Sequence, residues 1–212
     1  MKKKKILVSW TGGLDSTYLV YKLLNEGHFV NTCYTKIVNN IDVTKREKQA
    51  ISKMMIDFKQ YNNYLGHLES ESIGYNKNIC FRQVLCILQG LINNYNNHDE
   101  VCIGYVMNDD IVSYLPDIIK IWNSYKSICH SIFPKLLFPL VKYSKKQIYD
   151  ELPSRFLDNI TYCERTEDND EPCNKCRSCK RMRDLLEEVN FNNNVEDVLE
   201  EEPEILEVNE NS

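Results

Sequence analysis

Four cysteines near the C-terminal end of the sequence are spaced as ligands of one metal ion. They follow the pattern Cys163-x9-Cys173-x2-Cys176-x2-Cys179. Four thiolates are the number that a tetrahedral structural zinc site needs, and the short spacers let neighbouring sulfurs converge. An iron-sulfur cluster and four unrelated reduced cysteines are the alternatives. Cations that can offset the thiolate charge lie within or just after the cluster, at Arg165, Lys175, Arg177, Lys180, Arg181 and Arg183.

A second segment with chemical potential lies near the N-terminus, where two glycines separate a predicted strand from a predicted helix. Residues 11–16 read Thr-Gly-Gly-Leu-Asp-Ser and follow the apolar run 6–10. Backbone N–H groups at the start of a helix bind anions, and glycines let a phosphate approach closely. The segment matches neither the Walker A pattern nor the glycine pattern of dinucleotide-binding folds. A simple turn with a capped helix is the alternative to a phosphate site.

The elements that must position these two motifs alternate along the chain. Apolar runs typical of strands alternate with segments of helical spacing, which predicts a doubly wound α/β fold with a mostly parallel sheet. Such sheets bind ligands beyond the carboxyl ends of their strands. Strands are predicted at 6–10, 29–37, 64–68 and 101–106, helices at 16–26, 43–61, 79–95, 114–125, 144–152 and 177–189, and a strand or turn at 136–140.

The composition argues against a membrane-spanning protein, and the charge is distributed unevenly along the chain. No uncharged apolar run approaches the roughly 18 residues that a membrane span needs. The basic residues 2–5 precede only three apolar residues, so we predict no export signal, a cytoplasmic location and reduced cysteines. The net charge is -5, but residues 192–212 hold eight acids and no Lys or Arg, so residues 1–191 carry +3.

These patterns predict three parts of the chain. Residues 1–158 form an α/β domain that carries the glycine loop, and residues 159–191 form a small zinc-binding segment with a C-terminal helix. Residues 192–212 are acidic and rich in asparagine, and we expect them to be disordered.

The glycine loop resembles the SGGxDS signature of the ATP pyrophosphatases, the PP-loop family. The matching segment runs from Trp10 to Thr17, with Thr11 in place of the first serine. The resemblance implies the Rossmann-like fold of the adenine nucleotide alpha hydrolases and a loop that binds ATP. In that family pyrophosphate leaves and AMP is transferred to a carboxylate, amide or carbonyl oxygen.

The glycine loop and the cysteine cluster together resemble the 7-cyano-7-deazaguanine synthases, the QueC family, over most of positions 5–190. The middle of the chain departs from the pattern, since Gln83 follows Arg82 where the family has Asn, and Leu115 is inserted between Tyr114 and Pro116. The resemblance implies a ligase that converts 7-carboxy-7-deazaguanine and ammonia to the nitrile with ATP and Mg²⁺, with zinc as a structural ion.

The resemblance also implies roles for individual residues. Asp15, Ser16 and Lys145 are expected to be catalytic, with Asp15 placing Mg²⁺ or fixing the loop and Lys145 acting as a cation beside the phosphates. Arg82 and Asp110 are candidates for the nucleotide or substrate pocket. Ordinary surface roles are the alternatives for Lys145, Arg82 and Asp110. The nucleotide site would include Trp10, Thr11, Gly12, Gly13, Leu14, Asp15, Ser16 and Thr17.

Other functions remain open at this point. The chain can be a PP-loop enzyme that forms an amide, acts on another carboxylate or modifies a tRNA base, or a zinc-stabilised binding module without catalysis. The small charge of residues 1–191 argues against a nucleic-acid partner, because a large tRNA footprint depends on many basic contacts. No membrane partner is expected, and a homodimer is a possible assembly.

Overall fold

A computed structural model describes residues 2–37, 41–72, 80–129, 132–164 and 171–200, without the side chains of 41, 42, 80–82 and 190–200. The strands are β1 (Lys5–Ser9), β2 (Phe29–Ile37), β3 (Tyr64–Ser72), β4 (Glu100–Cys102) and β5 (Lys135–Leu137). The helices are α1 (Leu14–Asn25), α2 (Ile41–Phe58), α3 (Cys80–Asn94), α4 (Leu115–Ile128), α5 (Lys145–Glu151), α6 (Ser154–Leu157) and α7 (Arg177–Glu200).

The five strands form one parallel sheet in the order β3-β2-β1-β4-β5. Ile6 of the central strand β1 pairs with Val30 of β2 on one side and with Glu100 of β4 on the other. The chain winds outward from β1 through β2 to β3, then crosses back to β4 and winds the other way. The crevice beyond the carboxyl ends of β1 and β4 is therefore the switch point at which such sheets bind ligands.

Helices cover both faces of the sheet, as the prediction of a doubly wound α/β fold requires. Successive side chains of a strand point to opposite faces, so Leu7 of β1 packs with α3 and α4, while Ile6 and Val8 pack with α1, α2 and α5. All three side chains are buried completely or almost completely. A sheet buried on both sides explains why β1 reads as a continuous apolar run.

Several predicted boundaries are wrong for reasons that lie outside the local sequence. β3 continues to Ser72 because it pairs with β2 from Val30 to Ile37, where Ile37 is the partner of Ser72. β4 ends at Cys102 rather than at residue 106, because its pairing with β5 ends at Leu137. The strand predicted within 136–140 is β5, and the short helix α6 was not predicted.

The C-terminal helix also differs from its prediction. α7 runs from Arg177 to Glu200 instead of ending at residue 189, so it enters the acidic segment 192–212 for which we expected disorder. Residues 201–212 lie outside the described part of the chain. Among the described residues, no helix combines the length and the apolar character needed to cross a membrane.

Candidate functional site

The glycine loop connects β1 to α1 at the switch point of the sheet. Gly12 has a positive φ of 76°, which disfavours residues other than glycine. A Cβ atom at Gly12 would also lie 3.0 Å from the Cβ of Ala50 and 3.3 Å from the carbonyl oxygen of Glu47, so the loop lies close against α2. Gly13 precedes the first turn of α1 and provides no side-chain cap. The first N–H groups of α1 thus lack acceptors within the helix.

The two hydroxyl side chains of the loop meet each other. Ser16 Oγ lies 3.3 Å from the backbone nitrogen of Thr11, from which it accepts a hydrogen bond, and 3.3 Å from Thr11 Oγ1. It also donates to the carbonyl oxygen of Gly13 at 3.3 Å. The loop is therefore closed on itself, with Thr11 and Ser16 beside the start of α1.

Trp10 and Thr17, which the sequence placed in the nucleotide site, lie in the hydrophobic core. Both are completely buried. Trp10 Nε1 donates to Thr17 Oγ1 at 3.0 Å, and the indole ring contacts Phe58 edge-on at 5.3 Å between ring centroids. These two residues support the loop from within the core, whereas Leu14 lines a cavity beside the loop.

A cavity of about 160 Å³ opens beside the glycine loop. Four separate parts of the chain line it, and three of them are Gly13 to Asp15 of the loop, Lys145 at the start of α5, and Ser178, Arg181, Met182 and Leu185 of α7. Thr161 and Tyr162, which precede the cysteine cluster, complete the wall. The glycine loop and the cysteine segment therefore face the same small space.

An ion pair between Lys145 and Asp15 forms part of this cavity wall. Lys145 Nζ is 2.6 Å from Asp15 Oδ2 and 3.7 Å from Asp109 Oδ1. A capping box holds the start of α5, since Ser144 Oγ accepts a hydrogen bond from the backbone nitrogen of Gln147. Lys145 is therefore positioned by the fold and is not an ordinary solvated lysine.

The Asp15 carboxylate is only partly satisfied. Its second oxygen, Oδ1, is buried and has no hydrogen-bond partner within the described part of the chain. Burial raises the pKa of Asp15 above its usual value, while Lys145 opposes this rise and the nearby Asp109 adds to it. An oxygen in this state is suited to accept a cation or a donor from a ligand.

Asp109 is a site residue that the sequence reasoning missed. Its Oδ2 accepts a hydrogen bond from the backbone nitrogen of Val106 at 3.0 Å, which holds the carboxylate beside Lys145. The resemblance pointed instead to the next residue, Asp110. The sequence signal that could have identified Asp109 was its position shortly after β4. The carboxyl ends of β1 and β4 lie side by side at the switch point, where such sheets bind ligands.

Asp110 lies outside the loop cavity and connects two parts of the fold. Its carboxylate receives two hydrogen bonds from the Arg177 guanidinium, one of them from Nη2 to Oδ1 at 3.0 Å, and Arg181 Nη2 lies 3.5 Å from the same Oδ1. Ion pairs therefore connect the segment after β4 to α7. Arg82 lies in the first turns of α3, and its side chain is outside the described part of the chain.

The four predicted metal ligands converge. The sulfurs of Cys163, Cys173, Cys176 and Cys179 all lie within 4.8 Å of one another, and all four residues are buried. Cys173 Sγ and Cys179 Sγ are 3.9 Å apart, close to the roughly 3.8 Å expected between sulfurs of a zinc tetrahedron with bonds of about 2.3 Å.

Backbone N–H groups donate hydrogen bonds to three of these four sulfurs. The backbone nitrogens of Cys173, Cys176 and Cys179 donate to the sulfurs of Cys163, Cys173 and Cys176 at 3.3, 3.3 and 3.4 Å. N–H groups of Lys175 and Cys176 lower the pKa of Cys173 to about 6, whereas burial raises the pKa of Cys179. The donor set therefore fits a metal ion such as zinc, with four protein ligands.

The cysteine segment is attached directly to the glycine loop. The backbone nitrogen of Thr161 donates to the carbonyl oxygen of Gly12 at 2.9 Å. On the other side of the cluster, Met182 and Leu185 of α7 belong to the same hydrophobic core as α1. The two motifs, far apart in sequence, thus form one structural unit.

Comparison with known proteins supports a place in the PP-loop ATP pyrophosphatase superfamily but does not identify the reaction. No protein-family model matches the chain. A stretch of 42 residues is 45% identical to the tRNA-specific 2-thiouridylase MnmA 1 of Aliarcobacter butzleri (strain RM4018), covering 20% of this chain and 12% of that protein. That protein belongs to the PP-loop ATP pyrophosphatase superfamily, so the matched stretch supports a place for this chain in that superfamily.

Proposed function

We propose that this protein is an ATP-dependent carbon-nitrogen ligase that converts 7-carboxy-7-deazaguanine and ammonia to 7-cyano-7-deazaguanine. One observation carries the proposal: the glycine loop and the four-cysteine segment, which together resemble the QueC family, are hydrogen-bonded to each other through Gly12 and Thr161 and line one cavity. Separate roles for the two motifs would not require this contact.

The chemistry explains why such a reaction needs ATP. A carboxylate is a poor electrophile, so one of its oxygens first attacks the α-phosphorus of ATP, which gives an acyl-adenylate and releases pyrophosphate. Ammonia then attacks the acyl carbon, AMP leaves, and the amide forms with loss of a proton. A second ATP adenylates the amide oxygen, again with release of pyrophosphate. Loss of AMP and of the remaining N–H protons leaves the nitrile.

The residues of the loop cavity suit these steps. The N–H groups at the start of α1 and the hydroxyls of Thr11 and Ser16 would bind the phosphates. Lys145 would exchange its contact with Asp15 for the phosphates and stabilise the charge that develops when pyrophosphate leaves. Asp15 and Asp109 offer the carboxylate oxygens that Mg²⁺ prefers, and that ion would neutralise part of the phosphate charge.

The metal would have a structural role. Four cysteine ligands leave no position for a reacting water, so zinc would hold Cys163 against the start of α7 and thereby shape the wall of the cavity. All chemistry would then be performed by positioning and by charge.

A tRNA base-modifying activity is the second candidate, favoured by the partial match to a tRNA-specific 2-thiouridylase. Both candidates use the same ATP site and differ in the acceptor. The net charge of only +3 on residues 1–191 favours a small anionic acceptor, because a bound tRNA is held by many phosphate contacts. Arrest at the amide is a further variant, consistent with the insertion of Leu115.

The test is a product assay on zinc-loaded protein with ATP, Mg²⁺, ammonia and 7-carboxy-7-deazaguanine. We expect pyrophosphate and AMP in a ratio of two to each nitrile, identified by mass; a ratio of one with the amide would show arrest. Pyrophosphate release with unmodified tRNA but not with the carboxylate would favour the second candidate. No release with either acceptor would refute the proposal.

Neighbouring lysines provide a matched control. Lys145 faces the loop cavity, whereas Lys146 forms an ion pair with Asp150 one turn further along α5, at 2.6 Å. Lys145→Ala should lower pyrophosphate release by on the order of 100-fold, and Lys146→Ala should leave it within about 2-fold of the wild type. Equal effects of the two substitutions would contradict the role of Lys145.

A further inference from the structure

One face of α7 points into the cavity of the glycine loop. Ser178, Arg181 and Leu185 follow one another at spacings of three and four residues, which places them on the same side of a helix, and all three line the cavity. This cavity wall is therefore supplied by the helix that begins within the cysteine cluster.

Arg181 is held at this wall by an ion pair. Its Nη2 lies 3.5 Å from Asp110 Oδ1, and Asp110 is in turn bound by Arg177. The side chain of Arg181 retains 36% of its exposure, against 63% for Arg177. Arg181 therefore lies at the cavity, whereas Arg177 pairs with the same Asp110 on the more exposed side.

The charges of the cavity leave a role for a second cation. Lys145 is already bound to Asp15 and lies near Asp109, so these three groups together carry a net negative charge. A bound triphosphate would add several negative charges to the same space. Within the described part of the chain, Arg181 is the other basic side chain that lines the cavity, and a guanidinium matches phosphate oxygens with two parallel hydrogen bonds.

The cysteine cluster determines the position of Arg181. Cys176 and Cys179 flank the start of α7, and the backbone nitrogen of Lys180 donates to the carbonyl oxygen of Cys176 at 3.1 Å. Arg181 follows two residues after Cys179. Any group that holds the sulfurs together therefore also sets the position of this guanidinium relative to the glycine loop.

We propose that Arg181 contacts the phosphates of the nucleotide held by the glycine loop, and that Asp110 is a positioning residue that orients it. The metal-binding segment then completes the ATP site instead of only stabilising the fold. This inference rests on the proposed function for the identity of the ligand as ATP, and it is independent of which acceptor receives AMP.

The first test compares two arginines on the same helix. Arg183 is 58% exposed, pairs with Glu187 at 4.0 Å and does not line the cavity. Binding of ATP with Mg²⁺ is measured by calorimetry, and pyrophosphate release is measured with saturating acceptor. Arg181→Ala should weaken ATP binding by at least 10-fold and slow release by on the order of 100-fold, with zinc content unchanged. Arg183→Ala should leave both within about 2-fold.

A charge-conserving variant separates contact with phosphate from a packing role. Arg181→Lys should recover part of the lost ATP affinity, whereas Arg181→Met, which keeps an apolar stem of similar length, should not. Wild-type affinity and rate in Arg181→Ala would overturn the inference, as would equal behaviour of the lysine and methionine variants.

Asp110 is tested by a double-mutant cycle. If Asp110 acts through Arg181, Asp110→Ala should slow pyrophosphate release about 10-fold in the wild type and have no further effect in Arg181→Ala. The same loss in both backgrounds would overturn the positioning role.

The outcomes also separate the two proposals. ATP binding that depends on Arg181, without nitrile or amide formation, would support the inference and refute the ligase. Formation of the nitrile or amide at the wild-type rate in Arg181→Ala would support the ligase and refute the inference. Wild-type protein that binds no ATP would refute both.

Discussion

Replacement of Lys145 by methionine tests the electrostatic description of the loop cavity. The ammonium is 2.6 Å from Asp15 Oδ2, and the two side chains retain 30% and 20% of their exposure. Breaking a fully buried ion pair destabilises a protein by about 3–5 kcal/mol. Because solvent still reaches both groups, we expect about 2 kcal/mol near pH 8, which lowers the melting temperature by roughly 4–8 °C for a chain of this size.

The loss should depend on pH in a defined direction. Burial raises the pKa of Asp15, and Lys145 is the largest opposing influence. Above the ordinary carboxylate pKa of about 3.9, the folded protein then binds more protons than the unfolded chain, so the free energy of unfolding falls as pH rises towards the raised pKa. Without Lys145 that pKa rises further and the fall continues to higher pH. The deficit of Lys145→Met should therefore be larger at pH 8 than at pH 5.

The assay is thermal unfolding of the zinc-loaded protein, followed by circular dichroism at both pH values. Combining Lys145→Met with Asp15→Asn removes the uncompensated charge and should restore most of the lost stability at pH 8. Lys146→Met, which breaks the ion pair with Asp150 outside the loop cavity, should shift melting by no more than about 1–2 °C. A deficit of equal size at pH 5 and pH 8, or no recovery in the double variant, would show that loss of packing and not the Asp15 charge is responsible.

Three further predictions concern the metal and two glycines. Cys176→Ser should lower bound zinc from about one per chain and melt at a lower temperature, because a structural zinc contributes to folding free energy; unchanged metal content and melting would refute the ligand assignment. Gly104→Ala would place a Cβ 3.0 Å from the Asp15 carbonyl oxygen, so it should displace the start of α1 and weaken ATP binding by at least 10-fold in calorimetry; wild-type affinity would show that the loop adapts. Gly90→Ala would place a Cβ 2.0 Å from Thr35 Oγ1, so urea unfolding should show a loss of about 1–3 kcal/mol with ATP affinity retained. A stability equal to the wild type would mean that Thr35 moves aside freely.

Motifs defined by short spacing were predictable. The four cysteines lie within one segment, and two-residue spacers bring neighbouring sulfurs together whatever the rest of the chain does. The glycine loop likewise depends on local features, because a glycine with positive φ follows an apolar strand and precedes a helix. The positions of Thr11 and Ser16 beside this turn were predictable for the same reason, since they flank it in the sequence.

Residues that act through distant contacts were not predictable in the same way. Arg181 was counted among cations that offset the charge of the thiolates, and Asp109 was passed over in favour of Asp110. The position of Asp109 beside Lys145 depends on which strand lies next to β1, and the position of Arg181 depends on the packing of α7 beside the glycine loop. Neither relation can be derived from spacing along the chain.

By itself the sequence determined the alternation of strands and helices, the phosphate-type loop and the metal-type cysteine cluster, because periodicity, glycine and cysteine spacing act over a few residues. Only the tertiary structure decided that β4 lies beside β1, and that Lys145 and Asp15 meet across 130 positions of the chain. Such contacts form when the whole core closes, since burying both faces of the sheet selects one strand order. The same closure brings α7 to the glycine loop and joins the two motifs into one site.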